Sequence, residues 1–197
     1  NPKAEPYPEK PFDLRPKRDT ENEQELEAKV DESCEIFTAM FMEEGKHVTW
    51  YPSYGSEMRG GTANCNIKMD DKEIPSPYCH DIDILYTLND AAIDKFESQI
   101  KPGGILLVNS SLVRPERKFR HDVTVIKVPA SDIANELDNP KGTNIVMLGA
   151  LSYASHHFDV AYMRGAVDHF FAKKGKNNPK NGVCFDRGVE AAKKQME

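Results

Sequence analysis

The chain has 197 residues and a mass of 22.2 kDa, the size of one α/β domain or of one domain with an appendage. Its 39% apolar share lies below the roughly 45–50% of an average globular chain, which supplies a core and leaves room for a polar segment. A net charge of −6 argues against a nucleic-acid binder held by phosphate contacts, and no window approaches eighteen consecutive apolar residues, as a membrane-spanning helix requires.

Residues 1–18 contain five of the thirteen prolines. Proline fixes φ and removes an amide donor, so this stretch is expected to run extended, as a loose tail or as an arm that docks through Tyr7, Phe12 and Leu14. It lacks the apolar core of a signal peptide. Residues 19–35 hold eight acids against one base, Lys29, and the remainder is close to neutral. The organisation read from this is a Pro-rich arm (1–18), an acidic segment (19–35) and one domain (36–197).

Leu26, Val30, Cys34, Phe37, Met40 and Phe41 recur at spacings of three and four and predict an amphipathic helix over about 20–44, ended by Gly45. A strand over 47–51 follows, then a glycine-bearing stretch, then an alternating strand over 63–69. Residues 82–88 form the next strand, and Asn89 or Asp90 caps a helix reaching about Ile100. Pro102-Gly103-Gly104 turns the chain into Ile105-Leu106-Leu107-Val108, a run suited to a strand buried on both faces. A further strand spans 123–128. Strand, helix, strand with short turns defines a parallel crossover, so the expected class is α/β: a Rossmann-like, mostly parallel sheet flanked by helices. The C-terminal third is helical. Ser131 or Asp132 caps a short helix, residues 144–154 are apolar nearly all round and should be buried, with Gly149 and Ala150 permitting close approach, Val160 to Phe171 is amphipathic, and a weak helix follows Asp186.

The densest cluster of special residues runs from Tyr51 to Thr62. Three glycines with Arg59 and Glu57 between two strands suggest a loop at a strand's C-terminal end, where open α/β sheets place ligands. Arg59 suits a carboxylate or phosphate, with Gly60 and Gly61 opening the backbone amides to it; the alternative is a tight turn in which Arg59 pairs with Glu57.

The run from His47 to Cys65, with its core Tyr54-Gly55-Ser56-Glu57-Met58-Arg59-Gly60-Gly61-Thr62-Ala63-Asn64, resembles the signature of the gamma subunit or domain of 2-oxoacid:ferredoxin oxidoreductases. Glu73-Ile74-Pro75-Ser76-Pro77, Lys101 to Ser111 and Asn144 to Leu151 resemble the same family in the same order, and the likeness covers about 36–190. It implies a non-catalytic gamma component supporting coenzyme A-dependent oxidative decarboxylation of a 2-oxoacid, with electrons passed to ferredoxin. Thiamine diphosphate and iron–sulfur clusters would then reside on alpha, beta and ferredoxin-like partners. By the same likeness Tyr54, Gly55, Glu57, Arg59, Gly60, Gly61, Thr62 and Asn64 would accommodate coenzyme A. One departure stands out: the family's N-terminal Gly-x-Gly-Gly-Gln-Gly turn has no counterpart, since no glycine precedes Gly45. Eight acids near that place would repel an anionic ligand.

Other candidates have plainer readings. The four cysteines show no C-x-x-C pair, so a local zinc or iron–sulfur site lacks support and a reduced, cytoplasmic chain is expected. Cys79-His80 lacks further metal ligands at suitable spacing. Asp81 and Asp83 suit capping or solvent, Ser110-Ser111 lacks a nucleophile-elbow context, and His156-His157 suits a helix C-terminus. The basic group Arg114, Arg117, Lys118, Arg120 and His121 is read as a solvated loop, with coenzyme A phosphates or an acidic partner subunit as alternatives. Competing functions are an adenosylmethionine-dependent methyltransferase, suggested by Lys101-Pro102-Gly103-Gly104, and a ligand-free scaffold.

Overall fold

In the computed structural model, residues 20–43, 45–53, 63–157 and 159–197 are described, with side chains in α1 from residue 28. Helix α1 (Thr20–Glu43) buries Cys34, Ile36, Phe37, Met40 and Phe41 along one stripe. It ends in two reversed hydrogen bonds, from the Gly45 amide to the Met42 carbonyl and from Lys46 to Phe41, each 3.1 Å. That geometry needs a left-handed residue, and Gly45 supplies it at φ 74°.

The strands form two sheets. β1 (His47–Ser53) and β2 (Asn64–Asp70) pair antiparallel from His47 opposite Asp70 to Ser53 opposite Asn64. β3 (Ile82–Thr87), β4 (Ile100–Asn109) and β5 (Thr124–Val128) form a separate parallel sheet in that order. Leu106, Leu107 and Val108 are fully buried, as expected of a central parallel strand. Helix α2 (Asp90–Phe96) makes the first crossover, with the Asn89 carboxamide accepting from the Ala92 amide at 3.0 Å.

Two boundaries differ from expectation. β4 begins before Pro102-Gly103-Gly104 rather than after it. Gly103 takes φ 82°, its amide bonds to the Asp122 carbonyl at 2.6 Å, and the β3–β4 register shifts there, so the glycines form a bulge inside the strand. The last helix starts well before Asp186.

Helices α3 (Ala130–Glu136), α4 (Thr143–Ser155), α5 (Val160–Lys173) and α6 (Pro179–Met196) complete the fold. α4 is buried on nearly every side, as its composition predicts. A Cβ on Gly149 would overlap the Phe185 carbonyl, and one on Gly188 would overlap that of Val146. These glycines let α4 and α6 cross almost backbone to backbone, with Cys184 and Phe185 fully buried between. The glycines that weaken α6 as an isolated helix are thus its packing face. Asn178 caps it, accepting from the Lys180 amide, and Pro179 occupies the first turn.

Candidate functional site

The C-terminal edge of a parallel sheet is the default ligand position, and here its β4 end is sealed from within. Asn109, fully buried at the end of β4, donates to Ser131 Oγ at 3.0 Å and accepts from the Ala130 amide at 3.2 Å. It therefore caps α3, where Ser131 or Asp132 was expected to act; α3 has no side-chain cap of its own. Ser111 Oγ donates to Asp132 at 2.9 Å, which gives the Ser110-Ser111 pair a structural use.

Within the basic group, Arg117 is drawn into the fold while Arg114, Lys118 and His121 stay exposed. Arg117, 8% exposed, bridges Asp90 at 2.9 Å, Asp94 at 2.8 Å and Glu97 at 3.6 Å, and Arg114 pairs with Asp90. Burial opposes ionisation of Asp90, but hydrogen bonds from Arg114 and Arg117 outweigh it and hold the carboxyl below its usual range. Arg120 pairs with Asp122 and donates to the Ile100 carbonyl at 2.8 Å. The loop is largely solvated, as expected, but its arginines also stitch the β4–β5 connection to α2 through the buried Arg117.

The sequence cluster lies elsewhere. Ser53 and Asn64 face each other at the connected end of the β1–β2 hairpin, so residues 54–62 join two antiparallel strands rather than leaving a parallel strand at its C-terminus. This corrects the expected placement: two strands flanking a glycine-rich stretch read alike in either pairing. Tyr54, Gly55, Glu57, Arg59, Gly60, Gly61 and Thr62 lie outside the described residues; Asn64 opens β2.

Beside the hairpin runs a groove of about 1040 Å³, bounded by α1, β2, the segment 73–83, β3 and α2. Phe37, Phe41, Ile67, Ile84 and Phe96 supply its apolar wall, and Asn64, Asn66, Lys68, His80, Asn89 and Lys101 its polar one. Lys68 donates to the Ser76 carbonyl at 2.9 Å, and Lys101 pairs with Asp83 at 2.7 Å, which raises the Lys101 ammonium and gives Asp83 a surface role. Within the wall, Tyr86 lies 3.4 Å from Ser33 Oγ, and burial pushes its phenol well above the usual range. Cys79 and His80 both line the groove, and burial raises the Cys79 thiol.

Cys34 of α1 and Cys65 of β2 are joined in a disulfide. This corrects the expectation of an all-thiol chain; the pair is 31 residues apart, so only tertiary packing brings it together. Among the described residues no group of three or more His, Cys, Asp or Glu is arranged to hold a metal ion. His156 takes the left-handed position (φ 54°) that closes α4, in keeping with a capping role.

The fold and groove define an α/β domain with a hairpin-walled groove and a helical back. Residues 30–191 match the family model of the pyruvate ferredoxin/flavodoxin oxidoreductases, and the chain belongs to that family. The 2-oxoglutarate synthase subunit KorC of Methanocaldococcus jannaschii is 35% identical over 151 residues, 76% of this chain and 80% of that one. Ketoisovalerate oxidoreductase subunit VorA of Methanothermobacter marburgensis is 31% identical over 155 residues; this chain spans about a third (32%) of its length. The gamma subunit of a keto/oxoacid ferredoxin oxidoreductase from Geobacter sulfurreducens shares the fold at a TM-score of 0.65 and 24% identity, over 82% of this chain and 90% of that one. A 2-oxoglutarate:ferredoxin oxidoreductase from Magnetococcus marinus, solved with 2-oxoglutarate, coenzyme A and succinyl-CoA bound, gives a TM-score of 0.70 at 22% identity, over 83% of this chain and 28% of that one. The methyltransferase alternative gains no support from this membership.

Proposed function

We propose that this chain is the gamma-type component of a 2-oxoacid:ferredoxin oxidoreductase, which converts a 2-oxoacid and coenzyme A to an acyl-CoA and carbon dioxide while reducing ferredoxin. The observation that carries the reading is the family match, together with KorC, a relative whose length this chain spans to 80%. Its partners are alpha, beta and ferredoxin-like chains. Thiamine diphosphate and iron–sulfur clusters sit on those partners: the described residues of this chain fit no cluster, since Cys34 and Cys65 are joined and Cys184 is fully buried.

The role assigned to this chain is to bind and position coenzyme A. Tyr54, Gly55, Glu57, Arg59, Gly60, Gly61, Thr62 and Asn64 are the proposed contacts, with Arg59 pairing a phosphate and the glycine amides approaching it. The groove beside Asn64 supports the reading, being large and half apolar, as a site for an extended nucleotide thioester should be. The cytoplasm is the proposed location; no described helix is long and apolar enough to cross a membrane.

Arg59→Ala tests the assignment. The expected result is an assembled complex whose KM for coenzyme A rises at least about tenfold, the loss of one charge-assisted hydrogen bond. Unchanged kinetics would overturn the assignment of Arg59, and lost assembly would favour a scaffold. Copurification with the alpha and beta chains is expected; a chain that elutes alone and fully active would refute the gamma role.

A further inference from the structure

We propose that the Cys34–Cys65 pair is a thiol–disulfide exchange site opening onto the groove, and that its redox state sets how firmly the β1–β2 hairpin is held against α1. The hairpin is a two-stranded sheet bonded to no strand of the parallel sheet. Such a ribbon is marginal by itself. None of its described side chains, over 47–52 and 64–70, is buried. Beyond the disulfide, Val48 and Ile67 pack against the core, Lys46 pairs with Asp71, and Lys68 donates to the Ser76 carbonyl. The disulfide is the one covalent tie between the described hairpin and α1 other than the chain between them, and it closes a loop across 31 positions. Cross-links of that span act mainly by restricting the open state.

Three observations make the pair a site of exchange as well as a staple. Cys34 is buried, but Cys65 is half-buried and lines the open groove, so a small reductant reaches the bond from the Cys65 side. A third thiol, Cys79, lines the same groove and is free. The element that the bond restrains has no buried side chain among its described residues, so releasing it leaves the buried core of α4, α6 and β4 standing.

The chemistry balances with a dithiol as reductant. Its thiolate attacks one sulfur of the pair, the Cys34–Cys65 bond breaks, and a mixed disulfide forms. The reductant's second thiol then closes on the first, leaving a cyclic disulfide and protonated thiols at Cys34 and Cys65. Two electrons and two protons pass to the pair. The reverse step takes two electrons from the pair with oxidised glutathione, giving two molecules of reduced glutathione.

The test uses the full chain treated with oxidised glutathione, then with dithiothreitol without denaturant, each followed by peptide mass spectrometry and backbone hydrogen exchange. The oxidised chain is expected to yield a peptide pair linked through Cys34 and Cys65, and native dithiothreitol is expected to remove it. On reduction, amides of 47–53 and 64–70 should exchange at least about tenfold faster while those of β4 stay unchanged. The double variant Cys34→Ser, Cys65→Ser should match the reduced chain and ignore dithiothreitol. Failure of the linked peptide to form, its survival in native dithiothreitol, or equal hairpin exchange in both states each overturns the proposal. None of these readouts depends on coenzyme A or on partner chains, so they stand apart from the test of Arg59.

Discussion

Asn109 closes the β4 end of the parallel sheet with one side chain, and the cost of removing it can be worked from its contacts. The carboxamide donates to Ser131 Oγ at 3.0 Å and to the Leu88 carbonyl at 3.5 Å. It accepts from the amides of Ala130 at 3.2 Å and Ser131 at 3.4 Å. Asn109→Ala deletes these bonds and strands the fully buried Ala130 amide. Counting the two bonds within 3.2 Å at about 1 kcal/mol each, and about 1–3 kcal/mol for the buried amide left unpaired, the loss is about 3–5 kcal/mol. In a domain of this size that lowers Tm by roughly 6–20 °C. Urea unfolding followed by circular dichroism reads the free energy, and a thermal scan reads Tm. Asn109→Asp keeps both acceptors at the N-terminus of α3 but faces the Leu88 carbonyl with a carboxylate, so it should fall between wild type and alanine. An alanine variant that loses less than about 1 kcal/mol would refute the claim that this side chain closes the β4 end of the sheet.

Three other expectations concern packing, charge and the groove. Gly188→Ala drives a methyl into the Val146 carbonyl, and the overpacking should cost about 1–3 kcal/mol by urea unfolding even after the helix-propensity gain. Gly165→Ala in α5 meets nothing within 4 Å and should instead stabilise by about 0.5–1 kcal/mol; the same sign for both would contradict the close α4–α6 crossing. Asp90 is held below its usual carboxyl range, so its contribution is present above the unfolded value, about 3.9, and is lost as pH falls through the folded one. Asp90→Asn should therefore be less stable than wild type at pH 7, with the gap closing toward pH 3; a gap that is constant with pH would remove the Arg114–Arg117 clamp as its cause. Lys101→Met breaks the exposed pair with Asp83 and should change stability by less than about 1 kcal/mol in the same assay. A larger loss would mean that Lys101 holds more of the groove than that pair.

Much of the fold was legible because burial imposes composition. α4 carries apolar residues all round because it is packed all round, and the stripe of α1 marks its inward face. The misreadings share another cause. Gly103-Gly104 and Gly188 look like breaks in isolation, and only the neighbouring backbone shows one to be a bulge and the other a helix contact. Pairing direction is likewise tertiary, which is why the glycine-rich stretch was placed at the wrong kind of strand end. Of the candidate site, Asn64 is the one residue with a described position, and its recognition rested on family likeness rather than on spacing. The Cys34–Cys65 disulfide had no signal at all, since a helix and a strand 31 residues apart meet only through the packing of Phe37, Phe41 and Ile67.

Stability and the proposed site are distributed unequally, and that division bears on how such a component works. The β4–β5 and α4–α6 layers hold most of the fully buried side chains, whereas the described hairpin strands hold none. The described part of the family-like run, His47–Ser53 with Asn64 and Cys65, thus lies on strands with little buried surface to hold them. A ligand that binds across the hairpin and the groove would add contacts where the protein has fewest, so its binding energy would go into holding the hairpin down. With the β4 end of the sheet occupied by Asn109, a ligand in the groove would act mainly on the hairpin beside it. The disulfide acts on the same element. A covalent restraint and a bound ligand would then hold the same hairpin, and forming either should tighten the other.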